Sequence, residues 1–211
     1  MKRILCYGDS NTWGYDARTC MRLLEHERWD SILQDKLGSD YRVYEEGYNG
    51  RTTVYDDPLD YGRNGIEFIE VAMKTHDPID VLVIMLGTND LKDMFGVSAL
   101  LMADGMRRFV TKCQDLISHS LVPECKILLI NPAHPTAAAD GTYWYGMSEN
   151  SVPKAAEFGI RLKALAEELG CDFLDADSLV KVSPVDGLHL PPESHKVLAD
   201  AVYNKIKEMI G

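Results

Sequence analysis

The chain has 211 residues, a length that suits one α/β domain over positions 1–211 and a full core without disulfide or metal support. Apolar residues make up 45% and charged residues 26% of the sequence, which is an ordinary globular composition. The net charge of -11 argues against nucleic acid and anionic membrane surfaces as partners, because both bind basic patches.

Predicted strands and helices alternate along the chain. Short apolar runs predict strands at residues 3–7, 41–45, 81–86, 126–130 and 171–174. Apolar residues at helical spacing predict helices at residues 24–37, 63–75, 98–119, 153–169 and 191–210. The run from 81 to 86 lies between Pro78 and Gly87 and is apolar throughout, which is typical of a central parallel strand buried on both faces.

This alternation predicts a parallel sheet with helices on both faces. Crossovers between parallel strands are right-handed, so a doubly wound sandwich is the simplest topology. Ligands of such sheets bind at the carboxyl ends of the strands. Unusual polar segments follow the predicted strands, at residues 8–11, 47–53, 87–90, 131–135 and 186–189. We expect these segments to meet at one edge of the sheet.

The residues in these segments fit nucleophilic catalysis. The Ser10 hydroxyl is a weak nucleophile until a base takes its proton, and His189 can do so near neutral pH. Asp186 can accept from the other ring nitrogen of His189 and fix its tautomer. An oxyanion hole needs donors, and the backbone N–H groups of Ser10 and Gly50 and the side-chain amide of Asn89 are available. Gly50 has no Cβ, so its backbone can approach a ligand closely.

Four short motifs in chain order resemble those of the SGNH (GDSL-type) hydrolase superfamily, and most of all its arylesterase-like branch. The matching segments are Gly8-Asp9-Ser10, continued by Trp13-Gly14; Asn49-Gly50-Arg51-Thr52-Thr53; Gly87-Thr88-Asn89-Asp90; and Asp186-Gly187-Leu188-His189. Asn11 stands where the name-giving pattern has leucine. The resemblance covers nearly the whole chain, and its strength lies in four motifs occurring in order.

The resemblance implies a flavodoxin-like three-layer α/β/α sandwich, with a five-stranded parallel sheet of order 2-1-3-4-5. It also implies ester hydrolysis with no metal and no cofactor. We therefore predict a serine esterase that hydrolyses small acyl esters, such as aryl or carbohydrate acetates, through an acyl-enzyme. A pocket dry enough to exclude water would also allow acyl transfer to an alcohol, and this is left open.

A non-catalytic flavodoxin-like module that binds a nucleotide or FMN is the alternative. The acidic composition and the topology permit it, but Asp9 would repel phosphate in the loop after the first strand. We expect Asp9 to support that turn. On the last helix, we expect His195 to be a solvated or a capping residue.

Candidate substrate-binding residues are Trp13, Arg51, His134 and Trp144, on or next to the predicted active edge. Arg51 fits a salt-bridged surface residue equally well. Trp13 is expected to line the pocket, with core packing as the alternative. The segment at 137–147 has no clear period and is rich in aromatic residues, which predicts a lid, a pocket wall or a subunit contact. We expect a homo-oligomer that uses this loop.

Five cysteines, an odd number without C-x-x-C spacing, predict neither a disulfide framework nor a zinc site. A reducing cytoplasm is therefore the expected compartment. No signal peptide and no apolar stretch near 18 residues is apparent, so we expect no membrane association. The expected partner is a small-molecule ester substrate.

Overall fold

Five parallel strands form the central sheet of the computed structural model, which describes residues 1–211. The strands are β1 (Lys2–Gly8), β2 (Tyr41–Gly47), β3 (Val81–Met85), β4 (Lys126–Asn131) and β5 (Asp172–Asp175). Their order across the sheet is β2-β1-β3-β4-β5, and every neighbouring pair is parallel. The predicted fold class and strand order are therefore confirmed.

Helices cover both faces of this sheet. They are α1 (Ser10–Trp13), α2 (Trp29–Leu37), α3 (Gly65–His76), α4 (Ala99–Ser118), α5 (Ser151–Glu168) and α6 (Pro192–Ile210). Successive residues of a strand point to opposite faces, and β1 follows this rule. Ile4 and Cys6 pack in the core under α2 and α6, whereas Leu5 and Tyr7 pack in the core under α3, α4 and α5.

Helix α2 begins later than predicted, at Trp29 instead of residue 24. Leu24 is 61% exposed, so the first part of the predicted apolar face has no core to pack against, and Glu25–Glu27 form a separate 3₁₀ turn. At Trp29 the backbone N–H donates to His195 Nδ1 at 3.2 Å. His195 is fully buried between α2 and α6, so the predicted solvated position is wrong, whereas the predicted capping role is found at the start of α2.

The sequence pattern predicted no helix or strand in the segment between β1 and residue 24. Helix α1 has one turn and ends at Gly14, which adopts the left-handed conformation with φ of 85°. A two-residue antiparallel hairpin follows, in which Tyr15–Asp16 pairs with Met21–Arg22. The backbone of Trp13 packs so tightly on Gly47 at the end of β2 that a Cβ there would collide with it.

The remaining helices begin and end within two residues of their predicted bounds. Prolines at positions 191 and 192 mark the start of α6, where a missing N–H is tolerated. None of these helices combines the length and the apolar character needed to span a membrane. The carboxyl ends of β1, β2, β3 and β4 share one edge, and the polar segments follow them there.

Candidate active site

Ser10 is held at the start of α1, immediately after β1. Its neighbour Asp9 precedes the helix and accepts a hydrogen bond from the Asn11 N–H at 2.9 Å. The Asp9 carboxylate is buried, and burial raises its pKa although the bond from Asn11 opposes this. Asp9 therefore has the turn-supporting position expected for it, and it leaves the Ser10 hydroxyl free to face the rest of the edge.

The loop before α6 brings His189 to this hydroxyl. His189 Nε2 lies 2.9 Å from Ser10 Oγ, and His189 Nδ1 lies 2.6 Å from Asp186 Oδ2. The other Asp186 oxygen accepts from the backbone N–H groups of Leu188 at 3.0 Å and His189 at 3.1 Å. Burial acts to raise the pKa of Asp186, but His189 and these N–H groups outweigh it and lower the pKa. Asp186 is thus suited to stay a carboxylate.

Gly187 permits the tight turn between Asp186 and His189. It adopts a left-handed conformation with φ of 68°, and a Cβ at this position would collide with the Thr136 carbonyl group. The Thr136 N–H donates to the Gly187 carbonyl at 2.8 Å, and the Gly187 N–H donates to Ser183 at the same distance. The loop after β4 therefore supports the loop that carries His189.

Asn11 binds the backbone on both sides of His189. Its Oδ1 accepts from the Leu190 N–H at 2.9 Å, and its Nδ2 donates to the Leu188 carbonyl at 3.4 Å. Asn11 is buried and stands where the name-giving family pattern has leucine. Sequence analysis assigned it no role, although a polar residue at a leucine position was a usable signal. Its amide ties the Ser10 turn to the His189 loop.

Gly50 and Asn89 flank the serine as possible oxyanion donors. The backbone N–H of Gly50 has no acceptor within the chain, so it is free to bind a ligand oxygen. Asn89 is buried and uses Nδ2 to donate to the Arg51 carbonyl at 3.1 Å, which orients its amide and leaves the second N–H of that nitrogen. No side chain or loop carbonyl accepts from the Ser10 N–H. All three predicted donors are therefore available.

A charged cluster behind Gly50 explains why this position is glycine. Gly50 has φ of 80°, and a Cβ there would lie 2.5 Å from Arg63 Nε. Arg63 bonds Asp57 and Asp60 at 2.6 Å each, and Lys92 Nζ lies 3.8 Å from Asp57. The missing Cβ makes room for the guanidinium of Arg63. This is a second reason for glycine here, beside the close approach of a ligand to the backbone that the sequence suggested.

Arg51 lies under the site with its guanidinium inside the protein. Its Nη1 donates to the Gly8 carbonyl at 2.8 Å and also to the Glu46 carbonyl. The guanidinium stacks on Tyr7, with Cζ 4.0 Å from the ring centroid. Burial lowers the pKa of Arg51, against the pull of nearby Tyr7 and acidic groups. This placement favours a structural role, linking β1 and β2, instead of the hypothesised substrate contact.

The other hypothesised substrate contacts are scattered around the edge. His134 is bound twice by Asp177, through its backbone N–H at 2.7 Å and its Nδ1 at 3.0 Å. Trp13 packs under Arg22, whose guanidinium carbon lies 5.2 Å from the ring centroid. Trp144 is 45% exposed, beside Tyr145. The side chains of these three residues form no hydrogen bond or ring contact with Ser10 or His189, so their roles stay hypotheses.

Two tyrosines that sequence analysis did not assign to the site contact His189 directly. The ring centroids of Tyr15 and Tyr145 lie 4.3 Å and 5.3 Å from that of His189. The aromatic character of the 137–147 loop was a signal for Tyr145. No signal identified Tyr15, because the hairpin that positions it has no apolar period.

The arrangement can perform proton transfer and nucleophilic attack. A carboxylate, an imidazole and a hydroxyl lie in hydrogen-bonded sequence, with free donors on the other side of the hydroxyl. No group of three or more His, Cys, Asp or Glu side chains has a geometry that could hold a metal ion. The chemistry available from these residues is that of an activated serine.

Comparison with known proteins places this geometry among esterases. The profile of the GDSL-like lipase/acylhydrolase family matches residues 6–197. Similar solved structures include a carbohydrate acetylesterase family member from Sinorhizobium meliloti, 37% identical with a TM-score of 0.90. A second carbohydrate acetylesterase from that organism is 31% identical (TM-score 0.92), and the native M. smegmatis aryl esterase is 34% identical (TM-score 0.91). Each of these three alignments covers 100% of both chains. No curated protein sequence matches significantly.

Proposed function

The chain belongs to the GDSL-like lipase/acylhydrolase family and is an ester hydrolase, and we propose that it works through Ser10 as nucleophile, His189 as base and Asp186 as the group that orients the base. The observation that carries this proposal is the hydrogen-bonded series from Asp186 through His189 to Ser10. It joins residues 179 positions apart, on two loops of the same sheet edge.

The proposed reaction has two stages. Ser10 Oγ attacks the ester carbonyl carbon while its proton passes to His189 Nε2. The bond to the alcohol oxygen then breaks, and this proton passes to the leaving oxygen. In the second stage water gives a proton to Nε2 and attacks the acyl carbon; the bond from this carbon to Ser10 Oγ then breaks, the proton passes from Nε2 to Oγ, and the acid is released. Asp186 holds Nδ1 throughout and stabilises the imidazolium.

Each stage places negative charge on the former carbonyl oxygen. The backbone N–H groups of Ser10 and Gly50 and the free amide N–H of Asn89 are proposed to bind this oxyanion. Their availability supports the assignment, because the donors are already oriented before substrate binds. Arg63 packed on Gly50, and the Arg51 carbonyl bound by Asn89, keep two of the three donors in place.

Short acyl esters are the proposed substrates, with aryl or carbohydrate acetates as the first candidates. Similar solved structures carry the names of a carbohydrate acetylesterase and an aryl esterase. The aromatic side chains of Tyr15 and Tyr145 stand directly beside His189 and limit the room for a long acyl chain. Acyl transfer to an alcohol would use the same acyl-enzyme, with the alcohol in place of water.

The alternative of a nucleotide- or FMN-binding module is not favoured. The family match covers most of the chain, and the solved structures similar to it include esterases. In addition, the buried Asp9 carboxylate occupies the turn after β1, where a phosphate cradle would need backbone N–H groups and hydroxyls.

We further propose a homo-oligomer in the cytoplasm. The exposed aromatic side chains of Trp144 and Tyr145 support assembly, since such residues are enriched at interfaces. All five cysteines are unpaired, which suits a reducing compartment.

The test is hydrolysis of p-nitrophenyl esters of increasing acyl length by the wild type and by Ser10→Ala. We expect kcat/KM to be highest from acetyl to butyryl, and Ser10→Ala to lose at least about three orders of magnitude in kcat, because the triad acts as a unit. Ser118→Ala removes a hydroxyl that bonds only within the end of α4, and it should keep full activity. A Ser10→Ala variant that is folded and retains about a tenth of the rate would contradict the nucleophile assignment.

A further inference from the structure

The imidazole of His189 is enclosed by two tyrosine rings. Tyr15 lies 4.3 Å away between centroids with the planes tilted by 39°, and Tyr145 lies 5.3 Å away at 82°. The two hydroxyl groups are 3.2 Å apart and share a hydrogen bond. Tyr15 and Tyr145 therefore form one hydrogen-bonded pair of rings against His189. Proton transfer among Ser10, His189 and Asp186 does not itself require this pair.

Each tyrosine is held by its own segment of backbone. Tyr15 opens the hairpin, and the loop of this hairpin is closed by Asp16, which accepts from the Arg18 N–H at 3.1 Å and from Thr19 Oγ1 at 3.0 Å. Tyr145 precedes Gly146, whose carbonyl accepts from the Asp93 N–H at 2.9 Å. Both rings are thus positioned from elements outside the His189 loop.

Two residues with strained backbone lie in or next to this pair of tyrosines. Cys20 and Tyr145, each with φ of 57°, are the two non-glycine residues of the chain with positive φ. The Tyr145 hydroxyl bonds that of Tyr15, and Cys20 lies in the loop of the hairpin that begins at Tyr15, where its N–H donates to the Asp16 carbonyl at 2.9 Å. Strained residues persist where the surrounding structure over-determines them, and they cluster at functional sites. Their joint position around Tyr15 indicates that its placement has a function.

We propose that Tyr15 is a positioning residue for His189 whose ring stabilises the imidazolium formed when Ser10 gives up its proton, and that Tyr145 fixes Tyr15 through the hydroxyl bridge. An aromatic face is negative and attracts a nearby cation, most strongly where water is excluded. His189 is 4% exposed, so the positive charge that forms on it is poorly hydrated. The inference rests on the proposed role of His189 as base.

Other groups also face the imidazole and act on its charge. Asp186 binds Nδ1, and Asp9 lies near enough to interact with the ring electrostatically. His195 faces it from α6, and its pKa is lowered to about 3 by burial, then by His189 and Arg28, so it is neutral at working pH. Asp186 and Asp9 are unchanged by a substitution at Tyr15. A change in the pH profile of such a variant would therefore report the ring.

The experiment measures kcat and KM for p-nitrophenyl acetate from pH 5 to 9 in the wild type and in Tyr15→Leu, Tyr15→Phe and Tyr145→Ala. In Tyr15→Leu we expect the midpoint of the acid limb to fall by about 0.5 to 1 pH unit and kcat to fall about three- to thirty-fold, as expected for the loss of a partly buried cation–π contact. Tyr15→Phe keeps the ring and should keep the wild-type midpoint. Tyr145→Ala frees Tyr15 and should move the midpoint in the same direction by less.

Two results would overturn the inference. The first is a folded Tyr15→Leu enzyme whose acid limb keeps the wild-type midpoint. A change in KM alone would then identify Tyr15 as a pocket wall, and a change in melting temperature alone would identify it as a packing residue. The second is a Tyr15→Phe enzyme with the same shift as Tyr15→Leu, which would assign the effect to the hydroxyl. Ser10→Ala is run in parallel: activity in that variant refutes the proposed function, whereas an inactive Ser10→Ala with an unshifted Tyr15→Leu refutes this inference alone.

Discussion

Asn89, a proposed oxyanion donor, is oriented by the protein itself before any substrate binds. One N–H of its amide donates to the Arg51 carbonyl, and Arg51 is itself fixed to the carbonyls of Gly8 and Glu46. The amide plane is therefore set by a bond to backbone, and the second N–H has a fixed direction. A donor that needs no reorganisation contributes fully when the oxyanion forms.

Asn89→Ala should lower kcat by about two to three orders of magnitude and change KM little, because the oxyanion exists only near the transition state. Steady-state kinetics with p-nitrophenyl acetate measures both constants. Asn204→Ala, an exposed position on α6, is the matched control and should be unaffected. An unchanged kcat with a raised KM would move Asn89 to ground-state substrate binding.

The sequence predicted the positions of some site residues but not of others. Ser10, Asp186 and His189 lie in short motifs at the ends of predicted strands, and their juxtaposition follows from the sheet topology. The contacts of the Arg51 side chain could not be predicted, because a charged residue next to a glycine turn can equally face solvent or bind backbone carbonyls. Tyr15 reaches His189 through an irregular hairpin, for which the sequence has no periodic signal.

Helices α2 and α6 are joined by a single buried histidine. His195 on α6 accepts the first backbone N–H of α2 through Nδ1, so its imidazole must carry no charge in the folded protein. The same contact explains why α2 begins at Trp29: the histidine provides the acceptor that no preceding side chain supplies. The bond joins two helices that are far apart in sequence, and helical periodicity cannot predict it.

His195→Leu should lower the free energy of unfolding by about 1–3 kcal/mol, since the Trp29 N–H is left buried without an acceptor. The variant should also change the pH dependence of stability. An unfolded chain protonates this imidazole near pH 6.5, whereas the folded protein does so near 3 because burial, His189 and Arg28 disfavour its charge. Wild-type stability therefore falls as pH decreases from about 6.5 toward 3, and His195→Leu should lack this component.

Urea denaturation of the wild type and of His195→Leu from about pH 6.5 to 3 measures the free energy of unfolding of each protein. An equal fall in stability for wild type and variant would show that His195 does not control it.

At the level of elements, the sequence predicted every sheet strand and four of the five long helices closely, because the strands are short apolar runs and the helices have apolar residues at helical spacing. It failed at the start of α2, where tertiary contact replaced local pattern.

On the scale of the whole molecule, the loop at 137–147 presents both an inner and an outer surface. Met147 is buried in the core, whereas Tyr145 is 44% exposed and also contacts the His189 ring. Trp144 is left 45% exposed, which makes it the anchor of the proposed interface between copies. The sequence predicted that this loop is unusual, but it could not predict which of its side chains are buried and which are exposed.

Light scattering should show a species larger than the 23.7 kDa monomer, and Trp144→Ser should shift it toward the monomer. Leu121→Ser is the matched control, because Leu121 is 76% exposed in another loop and its loss should leave assembly unchanged. A single 23.7 kDa species for the wild type at working concentration would contradict the proposed assembly.

The position of the site along the chain has a consequence for the newly made protein. The proposed nucleophile is residue 10 and the proposed base is residue 189, and all the other strands of the sheet are translated between them. During synthesis all five strands of the sheet therefore leave the ribosome before the proposed base does. Helix α6, which supplies core residues to one face of the sheet, is made last of all. A nascent chain that ends before residue 189 carries the proposed nucleophile without its base, so we expect esterase activity to begin only at the end of synthesis.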